Sequence, residues 1–282
     1  MIPARQPYER QPPGGALLNF ADPLSAGIVF DFDPVTFADR AQRNRQIPST
    51  GNLRSVRSTG YVAALARGSS QAISLGDPSF FDFGAGNFSF EFIFTLASGA
   101  TSTTRMQILA KDVSGGRQIW CELNTQASGA TDNSIALVWI NGTTAQQRSP
   151  VNSIVVGQRQ HVVCQRVGNS VEFYIDGVQV TTTAGAGHTG FPAVAASTTT
   201  AYLGRRAFSG AEDYFDGSIE LARVRNRALT AREIASLARN PYQIYGTSNF
   251  QYIDTAVSGG GFLAAWAVNA NSYHSQGASH AA

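Results

Sequence analysis

Residues 88–94 read FSFEFIF, and the strict alternation of that stretch restricts the folds open to the chain more than any other feature. Successive side chains of an extended strand point to opposite faces, so Phe88, Phe90, Phe92 and Phe94 share one face and Ser89, Glu91 and Ile93 the other. Four rings in a row are too much apolar surface to leave in water. A second layer must cover them, which predicts the inner strand of a two-sheet sandwich. Shorter stretches supply further strands. Ile28, Phe30 and Phe32 alternate as a first core strand, AISLG at 72–76 is a short one, and MQILAKDV, RQIWCEL, SIALVWI and SIVV (106–113, 117–123, 134–140 and 153–156) continue a meander. Val171, Phe173 and Ile175 face one way, with Glu172 and Tyr174 on the other side. Asn141-Gly142 and Asp176-Gly177 are hairpin-turn pairs, whose central positions favour positive φ.

One segment breaks the two-residue period. Asp216-Gly217 launches a strand carrying Ile219, Leu221, Ala222 and Val224, and Thr230 and Glu233 then have the spacing of a capping box. Leu229, Ile234 and Leu237 form an apolar face, Arg239 complements the last turn, and Asn240-Pro241 stops the run. The spacing predicts a helix over 230–239, too short to stand alone and therefore packed on the sandwich.

The rest of the chain narrows the class by what it lacks. Helix-period segments are nearly absent, and 28 glycines in 282 residues suit many strands joined by turns. A formal charge of +2, spread without a stripe, gives no reason to expect nucleic acid. No run is long and apolar enough for a membrane span, and no signal-peptide pattern opens the chain, so synthesis in the cytoplasm is expected. The five arginines within 38–59 read as a solvated loop or weak edge hairpin, and the bias towards arginine, with Lys111 the only lysine, is given no functional weight. Cys121 and Cys164 fall in predicted strands, either as a disulfide or as two buried thiols.

Three segments carry a family resemblance. GSIELARVRNRALTAREIASL (217–237), HVVCQRVGNSVEFYIDGVQV (161–180) and TAYLGRR (200–206) resemble the closing strand and helix, the central hairpin and the penultimate strand of laminin-G-like domains. These are concanavalin A-like jelly rolls. Asn19, Pro23, Leu24 and Gly27, with NPYQIY at 240–245, are similar to the opening and closing phrases of members found in tailed-phage structural proteins. The resemblance implies an all-β, two-sheet antiparallel jelly-roll sandwich over 19–245 with one short C-terminal helix. Residues 1–18 then form a Pro-rich N-terminal arm and 246–282 a C-terminal extension. It further implies a non-enzymatic virion structural protein of a tailed phage, a capsid decoration or cement protein or a tail-associated one, on the outer surface of the particle. Its partners would be the major capsid protein or tail proteins and further copies of itself in a homo-oligomer. Pro7, Tyr8 and Pro12 in one arm and Phe262, Leu263 and Trp266 in the other would make the attachments. The alternative is a glycan- or receptor-binding module for host-surface adhesion.

No enzyme chemistry is assigned. Glycan hydrolases of this fold carry closely spaced carboxylates of the form E-x-D-x-E, whereas Glu91, Glu122, Glu172 and Glu220 are each solitary on their strands. There is no G-x-S-x-G elbow, and His161, His188, His274 and His280 lack a metal-binding spacing, so His161 reads as structural. Many laminin-G-like domains bind calcium at the rim; Asp112, Asp132, Asp213 and Asp216 lie in or near predicted loops, but no D-x-D-x-D cluster exists and no cofactor is assigned. A glycan rim would draw on Asp213, Tyr214 and Phe215, with Phe208 and Trp139 as further rings, each of which core packing would also explain.

Overall fold

The computed structural model describes residues 16, 18–42, 45–47, 53–57, 60–98, 105–111, 117–123, 133–185, 187–208 and 211–245. All of them belong to the compact unit Met1–Thr247. The expected attachment residues Pro7, Tyr8, Pro12, Phe262, Leu263 and Trp266 lie outside the described residues.

Two antiparallel sheets face one another. The larger has ten strands and runs Val178–Val180, Ser170–Ile175, Arg159–Val167, Phe88–Leu96, Gly217–Arg225, Ile28–Asp33, Ala38–Asp39, Arg45–Gln46, with Gly60–Leu65 also paired to Gly217–Arg225 and Arg54–Arg57 beyond it. The smaller has seven, in the order Thr183–Ala184, Thr143–Arg148, Ile135–Asn141, Arg117–Leu123, Met106–Lys111, Ala201–Leu203, Ile73–Gly76. The non-sequential order is that of a jelly roll.

The four-ring strand lies at the middle of the larger sheet, between Arg159–Val167 and Gly217–Arg225. Phe88, Phe90, Phe92 and Phe94 are buried in the inter-sheet core with Phe30, Phe32 and Phe173. From the facing sheet, Leu123, Ile135, Leu137 and Trp139 meet them, and Phe88 stands edge-on to Trp139 at 5.8 Å between centroids. A bulge between Ile219 and Leu221 shifts the period of the closing strand. Ile219, Ala222 and Val224 therefore enter the core, while Leu221 turns to the opposite face.

That opposite face carries the helix Ala231–Arg239, with Thr230 as N-cap and the capping box with Glu233 formed. Leu229, Ile234 and Leu237 pack with Leu221, Ile93, Val163 and Tyr174 from the sheet and with Tyr242, Ile244 and Tyr245 after the helix. Both residues of the Asp176-Gly177 turn have positive φ, and a Cβ on Gly177 would lie 2.9 Å from that of Ala238, so glycine lets the hairpin tip approach the helix. The first and last described segments meet where Leu18 bridges Tyr245.

Next to the helix the same face is ionic. Asp31, Arg223 and Glu91 lie side by side on three neighbouring strands, all without solvent contact. Arg223 donates through Nε to Asp31 (2.9 Å) and through Nη1 to Glu91 (3.0 Å), while Arg225 and His161 also reach Glu91. The Tyr245 hydroxyl donates to Asp31 and accepts from Arg223 and Arg40. Burial alone would push the Glu91 carboxyl up; Arg223, Arg225 and the His161 hydrogen bond outweigh it and hold the group well below the usual range.

Two expectations change. Residues 153–156 are irregular and form no strand, and the strand beside Ile135–Asn141 is instead the polar Thr143–Arg148, reached across a turn in which Gly142 has positive φ and Asn141 does not. Residues 38–59 contribute short paired strands at the sheet margin, in agreement with the edge-hairpin reading. Arg40, read as solvated, is buried between Asp31 and Asp33, at 3.7 and 2.7 Å.

Candidate functional site

The smaller sheet also has a face turned away from the core. Its pairing register places Ser74, Tyr202, Ala110, Trp120, Val138 and Gln146 in one transverse row. Gln107, Glu122, Ala136 and Arg148 form the row beside it. The neighbours on the strands, Cys121, Leu123, Leu137 and Trp139, belong to the core, which fixes the direction of these two rows.

The chemistry of the face is concentrated at one end. Trp120 donates from Nε1 to Glu122 Oε2 at 2.8 Å, and Gln107 donates from Nε2 to the same oxygen at 3.2 Å. Burial raises the Glu122 carboxyl above its ordinary value; these two hydrogen bonds, with Arg105 and Arg206, offset only part of that cost. Arg206 lies over the Trp120 ring at 4.3 Å, and Arg205 lies over Tyr202 at 4.5 Å and Tyr214 at 5.8 Å. Tyr202, Arg205 and Arg206 are half-buried, so each keeps part of its surface in water. Guanidinium planes held on aromatic faces keep their in-plane donors directed at whatever lies beside the ring.

A local device aims the two arginines. After Ala201–Leu203 the chain turns at Gly204, whose N–H donates to Ile108 and whose carbonyl accepts from Phe215. The excursion between them contains the two-stranded ribbon Ala207–Phe208 and Ala211–Glu212. Residues 205 and 206 follow the pinned glycine directly.

The residues proposed from sequence divide. Tyr214 is buried at the edge of this face beside Arg205, and Asp213 is half-buried next to it. Phe215 is core, edge-on to Phe94 at 6.0 Å, and Trp139 is fully buried with Nε1 donating to Pro192, so neither offers a ring to a ligand. The Phe208 side chain lies outside the described residues. Sequence reasoning missed Tyr202, Arg205, Arg206, Trp120 and Gln107, and weighed Glu122 only as a solitary carboxylate. TAYLGRR was legible only as a strand and its turn, although the i, i+2 spacing of Trp120 and Glu122 already places them on one face.

At the rim, Lys111 holds a loop in place. Its buried ammonium donates to the Pro78 carbonyl at 2.9 Å and pairs with Asp77 (3.2 Å) and Asp82 (3.4 Å), fixing the loop that precedes the four-ring strand. Asp112 and Asp132 lie outside the described residues, and among the described residues no three acidic, histidine or cysteine side chains gather as a metal site. Glu122 is the single acidic residue in the seven strands of the smaller sheet. Glu91, Glu172 and Glu220 all belong to the larger sheet.

Solved structures share this architecture. Domain 4 of AbnA, a GH43 extracellular arabinanase from Geobacillus stearothermophilus, solved in complex with arabinotriose, superposes with a TM-score of 0.54 at 18% identity, covering 75% of this chain and 98% of that one. The binding domain of Paraclostridial Mosquitocidal Protein 1 gives 0.58 at 12% identity, over 76% of this chain and 52% of that one. A mutant of Trypanosoma rangeli sialidase displaying trans-sialidase activity gives 0.51 at 15% identity, over 79% and 34%. No curated protein matches the chain in sequence. The sequence profile of the concanavalin A-like lectin/glucanases superfamily matches residues 67–235, a span that holds both faces of the sandwich and most of the helix, and the chain belongs to that superfamily.

Proposed function

We propose that the chain is a non-catalytic glycan-binding module that holds a saccharide against the outer face of its seven-stranded sheet. The observation that carries this reading is the makeup of that face: the half-buried Tyr202 ring and the half-buried guanidinium groups of Arg205 and Arg206 stand beside the buried Trp120 and a single carboxylate, Glu122. Sugar rings offer C–H surfaces that lie on aromatic side chains and hydroxyls that accept from guanidinium and amide donors. Hydrolysis of a glycosidic bond in this type of site uses two carboxylates roughly 5–10 Å apart, one of them a proton donor and the other a nucleophile or base. Glu122 has a raised pKa, as a proton donor would, but no carboxylate shares its sheet.

The structural neighbours lend support, since one was solved with arabinotriose and another is a binding domain. A sialidase among them makes catalysis the point to test directly. Attachment to a virion through the terminal arms depends on segments outside the described residues and is independent of this face; on such a particle the face would serve adhesion to a host-surface glycan. The test is to incubate the protein with a panel of insoluble polysaccharides and follow both co-sedimentation and release of reducing ends. Co-sedimentation without release is expected. Release that is abolished by Glu122→Gln would overturn the non-catalytic reading.

A further inference from the structure

Two sets of arginines differ in what can reach them. On the larger sheet, Arg223 and Arg225 have no solvent contact and are held by Asp31 and Glu91. On the outer face of the smaller sheet, Arg148, Arg205 and Arg206 are half-buried, and Arg105 stands exposed just before the strand that carries Gln107. Among the described side chains of that face the carboxylates are fewer: Glu122 is buried, and Asp213 is half-buried at the edge beside Tyr214. A chain whose formal charge is only +2 therefore gathers cations where a ligand would lie. The face is also rich in donors. A guanidinium carries five N–H donors and no acceptor, and Glu122 Oε2 already accepts from Trp120 and Gln107. A neutral saccharide presents hydroxyls that both donate and accept, so part of its hydrogen-bonding capacity would find no acceptor here. A carboxylate only accepts.

We infer that the saccharide held on this face is acidic and is recognised through a sugar carboxylate set against Arg205 and Arg206, an inference that rests on the glycan-binding reading above. Arg206 lies 4.3 Å over the Trp120 ring and Arg205 4.5 Å over Tyr202, so each guanidinium presents its fork of donors in a plane fixed by the ring beneath it. The two forks come from consecutive residues after Gly204, whose backbone is tied to Ile108 and Phe215. A planar carboxylate matches such a fork with two parallel charge-assisted hydrogen bonds, each roughly twice as strong as a neutral one. A sulfate ester spreads its three terminal oxygens around the sulfur, so the third falls outside that plane. Hexuronates and nonulosonates both carry a carboxyl on a ring carbon, which leaves the C–H side of the same sugar unit for the half-buried Tyr202 ring.

The experiment is isothermal titration calorimetry on the full chain with soluble oligomers of a hexuronate (polygalacturonate) and of a nonulosonate (polysialate), each beside its methyl ester, with a neutral arabinan and dextran sulfate for comparison. Esterification leaves the rings and hydroxyls in place and removes the charge. Salt at about 0.15 M screens charges more than about 8 Å apart, so direct contacts dominate the reading. At least one acid is expected to bind, and which one it is separates the two sources of the carboxylate. Its ester and dextran sulfate are each expected to bind about tenfold more weakly or worse. Arg205→Gln and Arg206→Gln should each lower the affinity for the acid by a similar factor with little change in Tm, while Arg206→Lys, which keeps the charge and loses the fork, recovers only part of that loss. If a variant does not fold, the comparison of acid with ester on the wild type still decides. Acid and ester bound alike, or arabinan bound while both acids are ignored, would overturn this inference and leave glycan binding standing. Dextran sulfate bound as tightly as the acids would show attraction by charge alone and overturn it too. A chain that binds no saccharide at all would overturn the glycan-binding reading, and this inference with it.

Discussion

Arg223 shows how a single residue of this chain depends on its partners. A guanidinium with no solvent contact has lost its hydration, and it is retained because Asp31, Glu91 and the Tyr245 hydroxyl take its donors. Arg223→Met removes the cation and leaves two buried carboxylates facing each other. The expected cost is roughly 3–5 kcal/mol in a urea titration, far more than a surface arginine would show. Glu91 makes the same network sensitive to acid. Its folded pKa lies below that of the unfolded chain, so its contribution is fully present above about pH 4.3 and is lost as pH falls further. Wild-type stability should therefore fall from pH 5 to pH 3, an interval of about 2 units, more steeply than that of Glu91→Gln, read from denaturation midpoints at each pH.

At the scale of elements, the helix Ala231–Arg239 and the strand before it were legible because their signals are local. The Thr230 hydroxyl accepts from the Glu233 N–H and the Glu233 carboxylate accepts from the Thr230 N–H, as the four-residue spacing predicts. Thr230→Ala should cost about 1 kcal/mol in thermal or urea unfolding, with the helix still docked through Ile234 and Leu237. Thr143–Arg148 was not legible, since TTAQQR has no alternation of apolar and polar residues; its place comes from pairing with Ile135–Asn141 on one side and Thr183–Ala184 on the other. The ionic face escaped the sequence for a related reason. Asp31 between Phe30 and Phe32, or Glu91 between Phe90 and Phe92, reads as the solvent side of a strand. Only the return of the chain through Tyr245 shows that this side is covered. The candidate site was hidden likewise, because Tyr202 comes from one segment and Trp120 and Glu122 from another, and they share a face only through pairing with Met106–Lys111.

For the whole molecule, the two faces outside the core divide the work. The larger sheet spends its polar residues on a sealed ionic network and covers its apolar ones with a helix, which leaves that side committed to stability. The smaller sheet carries half-buried tyrosine and stacked arginines on the equivalent side, where a ligand would meet them. Side chains there are replaceable without opening the inter-sheet core, so binding and folding can be separated by mutation. A glycan array presenting neutral and acidic oligosaccharides, probed with the wild-type chain and with Tyr202→Ala/Arg206→Gln, tests that division. The account predicts selective binding by the wild type and at least a tenfold weaker signal from the variant, equivalent to about 1.4 kcal/mol, with melting temperatures within a few degrees of each other. A wild-type protein that binds nothing on the array, or a folded variant that binds as strongly as the wild type, would contradict it.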